Sequence, residues 1–468
     1  MTMLYGSKPM LSGTWWIVAG LAAGLLGGAP AWSQTAGETV LYALQGPTAD
    51  GENNPNGLVA GSGGVLYGST TYGGSGDCIG YSYATPIGCG VIFELTPPAT
   101  SGGAWTEKVI YSFTGAADGA FPNTLVAAKS GVLYGTATGG GHGASAGSGE
   151  GVIFQLAPPK TTGAAWKETV LYSFCKQTNC TDGSYPTDGP ILIGTDLYGT
   201  TAEGGTDGVG TVFQLATGTT PVFTSLYSFK GGSADGAYPY YSLAANKTGT
   251  LYGQTYSGGG TGCSGSGCGI VFELAPPATS GNPYTETVLY AFPGGTDGYN
   301  PGGRLTLSGA NLYGAAGGGT YSFGMVYELK PPTTGTAWTE TVLSSFDPGP
   351  LYGIPGGTYP NGSLIVGANG SIYGTTYGGG DPNLSFGYYF PGTIFELTPP
   401  IETGGAWVQG LLYSFQGGSD GLSPEWGLSV GPDGTLYGTT ALGGGTGCPA
   451  QAYSGVNIGC GTVFQFTP

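Results

Sequence analysis

Glu38-Thr39-Val40-Leu41-Tyr42 stands near the start of the chain and Val463-Phe464-Gln465-Phe466 at its end. Both are fragments of phrases that recur between them in a fixed order. The first belongs with Ile110-Tyr111-Ser112-Phe113, Leu171-Tyr172-Ser173-Phe174, Leu226-Tyr227-Ser228-Phe229, Leu289-Tyr290-Ala291-Phe292, Leu343-Ser344-Ser345-Phe346 and Leu412-Tyr413-Ser414-Phe415. The last belongs with the Val-Phe-Glu-Leu-like steps that end at Leu95, Leu156, Leu215, Leu274, Leu329 and Leu397. Between them falls an aliphatic-Tyr-Gly step ending at Gly68, Gly135, Gly199, Gly253, Gly314, Gly374 and Gly438. A phrase set that returns every 54–67 residues marks a solenoid, a propeller or an array.

One unit reads as four short strands. After an Asp-Gly turn come Pro122-Asn123-Thr124-Leu125-Val126, then Val132-Leu133-Tyr134-Gly135-Thr136, Val152-Ile153-Phe154-Gln155-Leu156, and a run from Trp166 to Phe174. Aliphatic, β-branched and aromatic runs between Gly, Pro and Ser clusters are the strand signal, and no sustained helical period follows the N-terminal segment. Four strands per unit and seven units fit an all-β, seven-bladed propeller. The chain opens on a fourth-strand phrase and closes on a third-strand phrase, so the N-terminal strand is expected to complete the last blade. An open β-solenoid is the alternative, but it needs polar caps at both ends.

Composition bounds the rest. Hydrophobic residues make up 40% of the chain and aromatic residues 12%, enough for a core despite 98 Gly and 33 Pro. Ten basic residues against 27 acidic leave a net charge of −17, which excludes a nucleic-acid partner. Lys8 precedes an apolar run from Trp15 to Leu26, and Ala31-Trp32-Ser33 resembles a signal-peptidase site. Residues 1–33 therefore read as a secretory signal and 34–468 as one propeller domain, with an uncleaved anchor as the alternative. The mature chain is expected outside the cytoplasm (secreted, periplasmic or at the cell surface), as a monomer without a membrane span.

Eight cysteines fall into near-neighbour pairs: Cys78/Cys89, Cys175/Cys180, Cys263/Cys268 and Cys448/Cys460. In an exported chain these read as local disulfides, and their spacing suits zinc poorly.

The pattern Leu-Tyr-Ser-Phe-x-Gly-Gly-x-Asp-Gly, Pro, Leu-Tyr-Gly-Thr-Thr-x-Gly-Gly-Gly, then Gly-Thr-Val-Phe-x-Leu resembles the bacterial GloVer (Gloeo/Verruco) tandem repeat. Residues 412–421, 436–445 and 461–466 match it closely, and the likeness extends over 38–468. It departs in the sixth unit, where Asp347-Pro348 and Gly356-Gly357 replace the Asp-Gly turn. The resemblance implies export, often with a C-terminal anchor, of which none is evident. It carries no activity, so no catalytic residue transfers.

Candidate chemistry sits on loops. Those between second and third strands (73–90, 139–151, 258–269, 378–392 and 443–461) are long and variable. They share a face with the fourth-to-first connections, so all four cysteine pairs map there. Variable loops on a rigid scaffold are where binding concentrates. Asp77, Tyr81, Tyr83, Glu150, Asp207, Asp381 and Glu425 are the candidate ligand residues of that face. Fifteen carboxylates recur with the repeat and read as scaffold, among them the Asp-Gly turns at Asp50, Asp118, Asp182, Asp235, Asp297 and Asp420. Turn chemistry explains those aspartates; a calcium ring is the alternative, and no other cofactor is expected. His142, the single histidine, lies in a glycine loop ill suited to a catalytic relay. Arg304, the single arginine, is expected in a solvated or intrablade ion pair. The functional expectation is an exported binding or surface-interaction module for an extracellular glycan, envelope polymer or protein. A carboxylate-based lyase or hydrolase and a purely structural envelope protein are the alternatives.

Overall fold

The computed structural model describes residues 37–46, 50–79, 87–100, 102–142, 147–161, 163–279, 282–347, 357–380, 391–402, 404–431, 434–444, 448 and 459–468. The proposed signal 1–33 lies outside these residues, as do Tyr81, Tyr83 and Asp381. The chain forms seven antiparallel blades of four strands each. Blade 2 is representative: Ala120–Ala127, Leu133–Gly139, Val152–Ala157 and Lys167–Ser173, paired in sequence order. In blade 1 the first strand is interrupted, with Glu52–Pro55 and Val59–Ala60 both pairing Leu66–Tyr72. Among the described residues no helix is long and apolar enough to cross a membrane.

The ring closes as the two chain ends require. Glu38–Ala43 pairs antiparallel with Thr462–Phe466, placing Glu38 opposite Phe466 and Ala43 opposite Thr462. Blade 7 is thus completed by the first strand of the chain, and the solenoid alternative is excluded.

The Tyr-Gly step is explained by a cross-strand contact. Gly68 lies opposite Phe93 and Gly253 opposite Phe272, and the third-strand ring covers the glycine Cα. A Cβ on Gly253 would lie 2.4 Å from Phe272 Cζ, and the six equivalent glycines meet their ring at 2.4–2.6 Å. Each ring is fully buried, and those of blades 2 to 7 receive an aromatic edge from the neighbouring blade. Phe113 meets Phe154 at 5.1 Å, Phe229 meets Phe272 at 5.1 Å, and Phe415 meets Phe464 at 5.2 Å, all edge-on. Leu44 takes the place of the phenylalanine at the end of the outer strand of blade 7. Every outer strand also carries a one-residue bulge at the aliphatic residue of its phrase, as at Leu41, Leu171 and Leu412.

The seams between blades also carry a polar motif. Tyr42 donates to Asp50 at 2.6 Å, Tyr172 to Asp182 at 2.5 Å, and Tyr413 to Asp420 at 2.7 Å. The same aspartates accept backbone N–H groups, Asp50 from Gln45 at 2.8 Å and Asp182 from Lys176 at 3.0 Å. The Asp-Gly signal therefore marks turns that also tie adjacent blades. At five seams a glutamate of the following outer strand faces the turn aspartate, as with Glu107 beside Asp50, Glu168 beside Asp118 and Glu38 beside Asp420, whereas at Tyr172–Asp182 Phe223 takes that position and stacks on Tyr172 at 3.9 Å. The Oε1 atoms of Glu38, Glu107, Glu168, Glu286 and Glu340 are shielded from solvent without a hydrogen-bond partner. Burial first, and the facing aspartate second, push all five carboxyls up to about 7.

Two predictions follow from these contacts. Gly253→Ala, at a glycine without positive φ, should lower the unfolding free energy by about 1–3 kcal/mol through overpacking. Gly218→Ala, where an added Cβ meets nothing within 4 Å, should leave stability unchanged; urea titration checks both. The second prediction concerns pH. The folded chain holds the five seam protons more tightly than an unfolded chain whose glutamates titrate near 4.5. That contribution is complete below pH 4.5 and is lost as the pH rises through about 7. Calorimetric Tm should therefore fall from pH 5 to pH 8, and the triple variant Glu107→Gln, Glu168→Gln, Glu286→Gln should flatten the decline.

Candidate ligand-binding channel

The first strands and the residues leading into them surround one cavity of about 470 Å³ on the ring axis. Every blade contributes to its wall: Leu58, Thr124, Asp188, Tyr241, Arg304, Asn361 and Trp426 are one from each, in order. The volume lies within the range of small-molecule sites.

Local backbone geometry sets these side chains in place. Each blade reaches the axis through a proline, at Pro122, Pro186, Pro239, Pro301, Pro360 and Pro424 in blades 2 to 7. The residue before it is left-handed in all six: Phe121, Tyr185, Tyr238, Asn300, Tyr359 and Ser423 have φ between 45° and 59°. Non-glycine residues rarely accept that conformation, so it must be held by its surroundings. Here each N–H donates to a carbonyl of the preceding blade, Phe121 to Cys89 at 2.8 Å and Tyr359 to Phe323 at 2.7 Å. The positions after the proline then point the chain along the axis. On one side the backbones touch: a Cβ on Gly362, where φ is +77°, would lie 2.1 Å from the Gly427 nitrogen.

On the other side a buried ion pair spans the ring. Arg304 of blade 5 donates through Nε to Asp188 Oδ2 at 2.8 Å and through Nη2 to Asp188 Oδ1, and Nη2 also reaches Thr124 of blade 2. Asp188 further accepts from Thr124 Oγ1 at 2.6 Å, from its neighbour Gly189 N at 2.7 Å and from Ser242 N at 2.9 Å. Its side chain is 1% exposed and that of Arg304 is 28% exposed, so the guanidinium is the partner reachable from the cavity. Burial alone would raise the Asp188 carboxyl. The Arg304 charge and the donated hydrogen bonds overcome it and hold the group below its ordinary value, while Arg304 is raised in turn. The expectation of a solvated or intrablade pair for Arg304 is therefore corrected, because the chain's one guanidinium links three blades through the axis.

A second, smaller hollow of about 240 Å³ continues the site. It shares Tyr241 and Asn361 with the axial cavity and adds Asn300, Tyr359 and Tyr377. Tyrosines gather beside it. Tyr238 and Tyr240 stack at 6.2 Å, and Tyr240 meets Tyr256 edge-on at 5.4 Å. Asn300 Nδ2 donates to the Tyr256 carbonyl at 2.8 Å, tying this cluster to the hollow. Tyr256 is 44% exposed and Tyr359 49% exposed.

Of the seven candidate ligand residues, Glu425 lines the axial cavity. Asp77 and Asp207 are exposed on the loops of blades 1 and 3 and do not line it. Glu150 is half-buried and lines a separate cleft with His142 and Lys176; burial and the nearby Glu203 raise its carboxyl. The structure does not bring these four into one constellation. Among the described residues no group of three or more His, Cys, Asp or Glu is placed to hold a metal ion. The four disulfides form in the expected pairing, Cys78–Cys89, Cys175–Cys180, Cys263–Cys268 and Cys448–Cys460. The sequence reading missed Asp188, Tyr241 and Trp426. A usable signal existed: after the recurring proline the units diverge sharply, from Asn56-Gly57 to Thr187-Asp188, Tyr240-Tyr241 and Glu425-Trp426.

Removing one partner of the axial pair strands a buried charge. Arg304→Met should cost about 3–5 kcal/mol of unfolding free energy. Arg304→Met combined with Asp188→Asn should recover most of that loss, as read by urea denaturation.

Comparison of the sequence with curated proteins finds no match. Solved structures of similar outline include a luciferin-regenerating enzyme at 11% identity, covering 90% of this chain and 93% of that one, with a TM-score of 0.40. The NanB sialidase of Streptococcus pneumoniae aligns at 10% identity over 92% of this chain and 70% of its own, with a TM-score of 0.43. A Trichoderma reesei carbohydrate-active enzyme of family AA12 aligns at 13% identity over 92% and 97%, with a TM-score of 0.40. A family model of the Gloeobacter/Verrucomicrobia repeat matches residues 79–316, half of the chain, and with the sevenfold phrase on either side of that span the chain belongs to this repeat family.

Proposed function

We propose that this propeller is an exported, non-catalytic binding module that holds an extracellular glycan or envelope polymer at its axial channel. The observation that carries the reading is the pairing of exposed tyrosines with an axial cavity of mixed polar and apolar lining. Tyr256 and Tyr359 are exposed, Tyr359 lining the smaller hollow, and Tyr241 and Asn361 line both hollows. Sugars present alternating apolar faces and hydroxyl edges, and an amphipathic aromatic rim over hydrogen-bonding groups suits both. Four disulfides agree with an oxidising compartment, and the apolar run before Ala31-Trp32-Ser33 supports export. The enzyme alternative needs two carboxylates free to act. Of those lining the axial cavity, Asp188 is already engaged by Arg304.

Binding of the full-length chain to soluble polysaccharides, by affinity electrophoresis and calorimetry, tests the proposal. Tyr256→Ala and Tyr359→Ala, both at exposed rings, should each weaken binding by about tenfold, the scale of one aromatic contact. Their Tm should stay at the wild-type value. Undiminished binding in both variants, or no saturable binding by the folded wild type, would overturn the assignment of the rim.

A further inference from the structure

We infer that the smaller hollow is a second saccharide subsite, so that it and the axial cavity take consecutive units of one chain. The inference rests on the glycan reading above and deepens it. The hollow opens where blade 5 omits polar ties that the repeat places between neighbouring blades. Two positions supply such ties. The residue after the recurring proline reaches the next blade in blades 1 to 3. Asn56 Nδ2 donates to the Pro122 carbonyl at 2.6 Å, Asn123 Nδ2 to the Pro186 carbonyl at 2.7 Å, and Thr187 Oγ1 to the Tyr240 carbonyl at 2.6 Å. The residue after the Tyr-Gly glycine does the same in blades 1 to 4. Ser69, Thr136, Thr200 and Gln254 donate to the carbonyls of Asn123, Asp188, Tyr241 and Gly303 at 2.6–3.0 Å. In blade 5 these two positions hold Gly302 and Ala315, whose side chains have nothing to donate.

The hollow lies at that gap. Gly302 lines it together with Pro360, the residue of blade 6 that corresponds to the accepting Pro122 and Pro186. Packing does not force a glycine there. Gly302 has no positive φ, and an added Cβ would meet only Asn361 Oδ1 and Tyr241 Oη, each at the ordinary contact distance of 3.6 Å. The hollow is also furnished for hydroxyl groups. Asn361 stands in blade 6 where Asn56 and Asn123 stand in theirs, yet among the described residues its Nδ2 donates to nothing. Its Oδ1 accepts the Gly362 N–H at 2.8 Å, which fixes which end of the amide is which. Asn300 gives Nδ2 to the Tyr256 carbonyl and keeps Oδ1 without a partner among the described residues. One open donor and one open acceptor thus belong to a wall that contains Tyr359 and Tyr377 and no carboxylate, guanidinium or ammonium group. Sugar hydroxyls both donate and accept, and sugar rings pack on aromatic ones, so a pyranose unit matches this set. Tyr241 and Asn361 belong to both walls, so the hollows are contiguous and suit linked units better than a single sugar.

The test is calorimetric titration of the full-length chain with cello-, xylo- and manno-oligosaccharides of increasing length, from the monosaccharide upward. In the series that binds, affinity should rise by about tenfold or more between the monosaccharide and the trisaccharide. Asn361→Asp keeps the acceptor for the Gly362 N–H and removes the open donor, and it should weaken trisaccharide binding about fivefold. Gly302→Asn gives blade 5 the residue that ties blades 1 and 2 and fills the hollow. Its Tm should hold or rise, while trisaccharide affinity falls about tenfold. A monosaccharide bound as tightly as the trisaccharide, or trisaccharide binding indifferent to both variants, would overturn the second subsite and leave glycan binding at the axis standing. A lowered Tm in both Gly302→Asn and the smaller Gly302→Ser would overturn it too, because the position would then have no room to give. Absence of saturable binding by every probe to folded wild type would remove the glycan reading and this inference together.

Discussion

The architecture depends on a glycine laid under an aromatic ring. In all seven blades the Tyr-Gly glycine of the second strand sits directly opposite the aromatic residue of the third, close enough that no Cβ fits between them. The ring can then lie flat against its own sheet and receive, edge-on, the residue that ends the outer strand of the blade before. Blade-to-blade spacing is set by that stack, and the spacing in turn decides how many blades close the ring. The hydrophobic gain is delivered at the seams, so neither the blade nor the seam is stable without the other.

Around this apolar hinge the seams carry a second layer whose chemistry points the other way. Tyrosine, aspartate and glutamate from adjacent blades meet where water is largely shut out, and five glutamate oxygens are left without donors. A basic partner would satisfy them, but the chain has only ten basic residues. The proton takes that place. The fold tolerates the arrangement because aspartate accepts both the tyrosine hydroxyl and the turn amide, leaving the glutamate as the group whose ionisation yields. A scaffold so poor in cations is thereby most at ease in mildly acidic surroundings.

The axis obeys different rules from the seams. There the first strands converge, and the repeat no longer dictates each residue. Glycines let blades 6 and 7 touch, while blades 2, 3 and 5 are held apart and together by one ion pair. The strained residues before the prolines keep this geometry rigid, since each is pinned to the neighbouring blade rather than to its own. Rigidity on the axis and variability in the residues that face it are what a binding site on a repeat scaffold requires.

The number of blades, their strand order, the closing strand and the disulfide pairing could all be read from the amino-acid sequence. Each of these is a contact within one unit or with the next, and the repeat writes such contacts seven times at nearly constant spacing. Cys175 and Cys180 are five residues apart, and Gly253 and Phe272 share a hairpin, so local pattern suffices. The channel could not be read in this way. Asp188 and Arg304 are 116 residues apart and Thr124 and Arg304 are 180 apart, and none of the three belongs to a recurring phrase. They meet because ring closure brings every first strand to one axis. Asp188 lies outside the recurring carboxylates and Arg304 reads from sequence as part of a solvated or intrablade ion pair, and only the fold encloses the two together. Which side chains share the axis is a property of the closed ring, and it is the closed ring that turns two isolated charges into one buried pair.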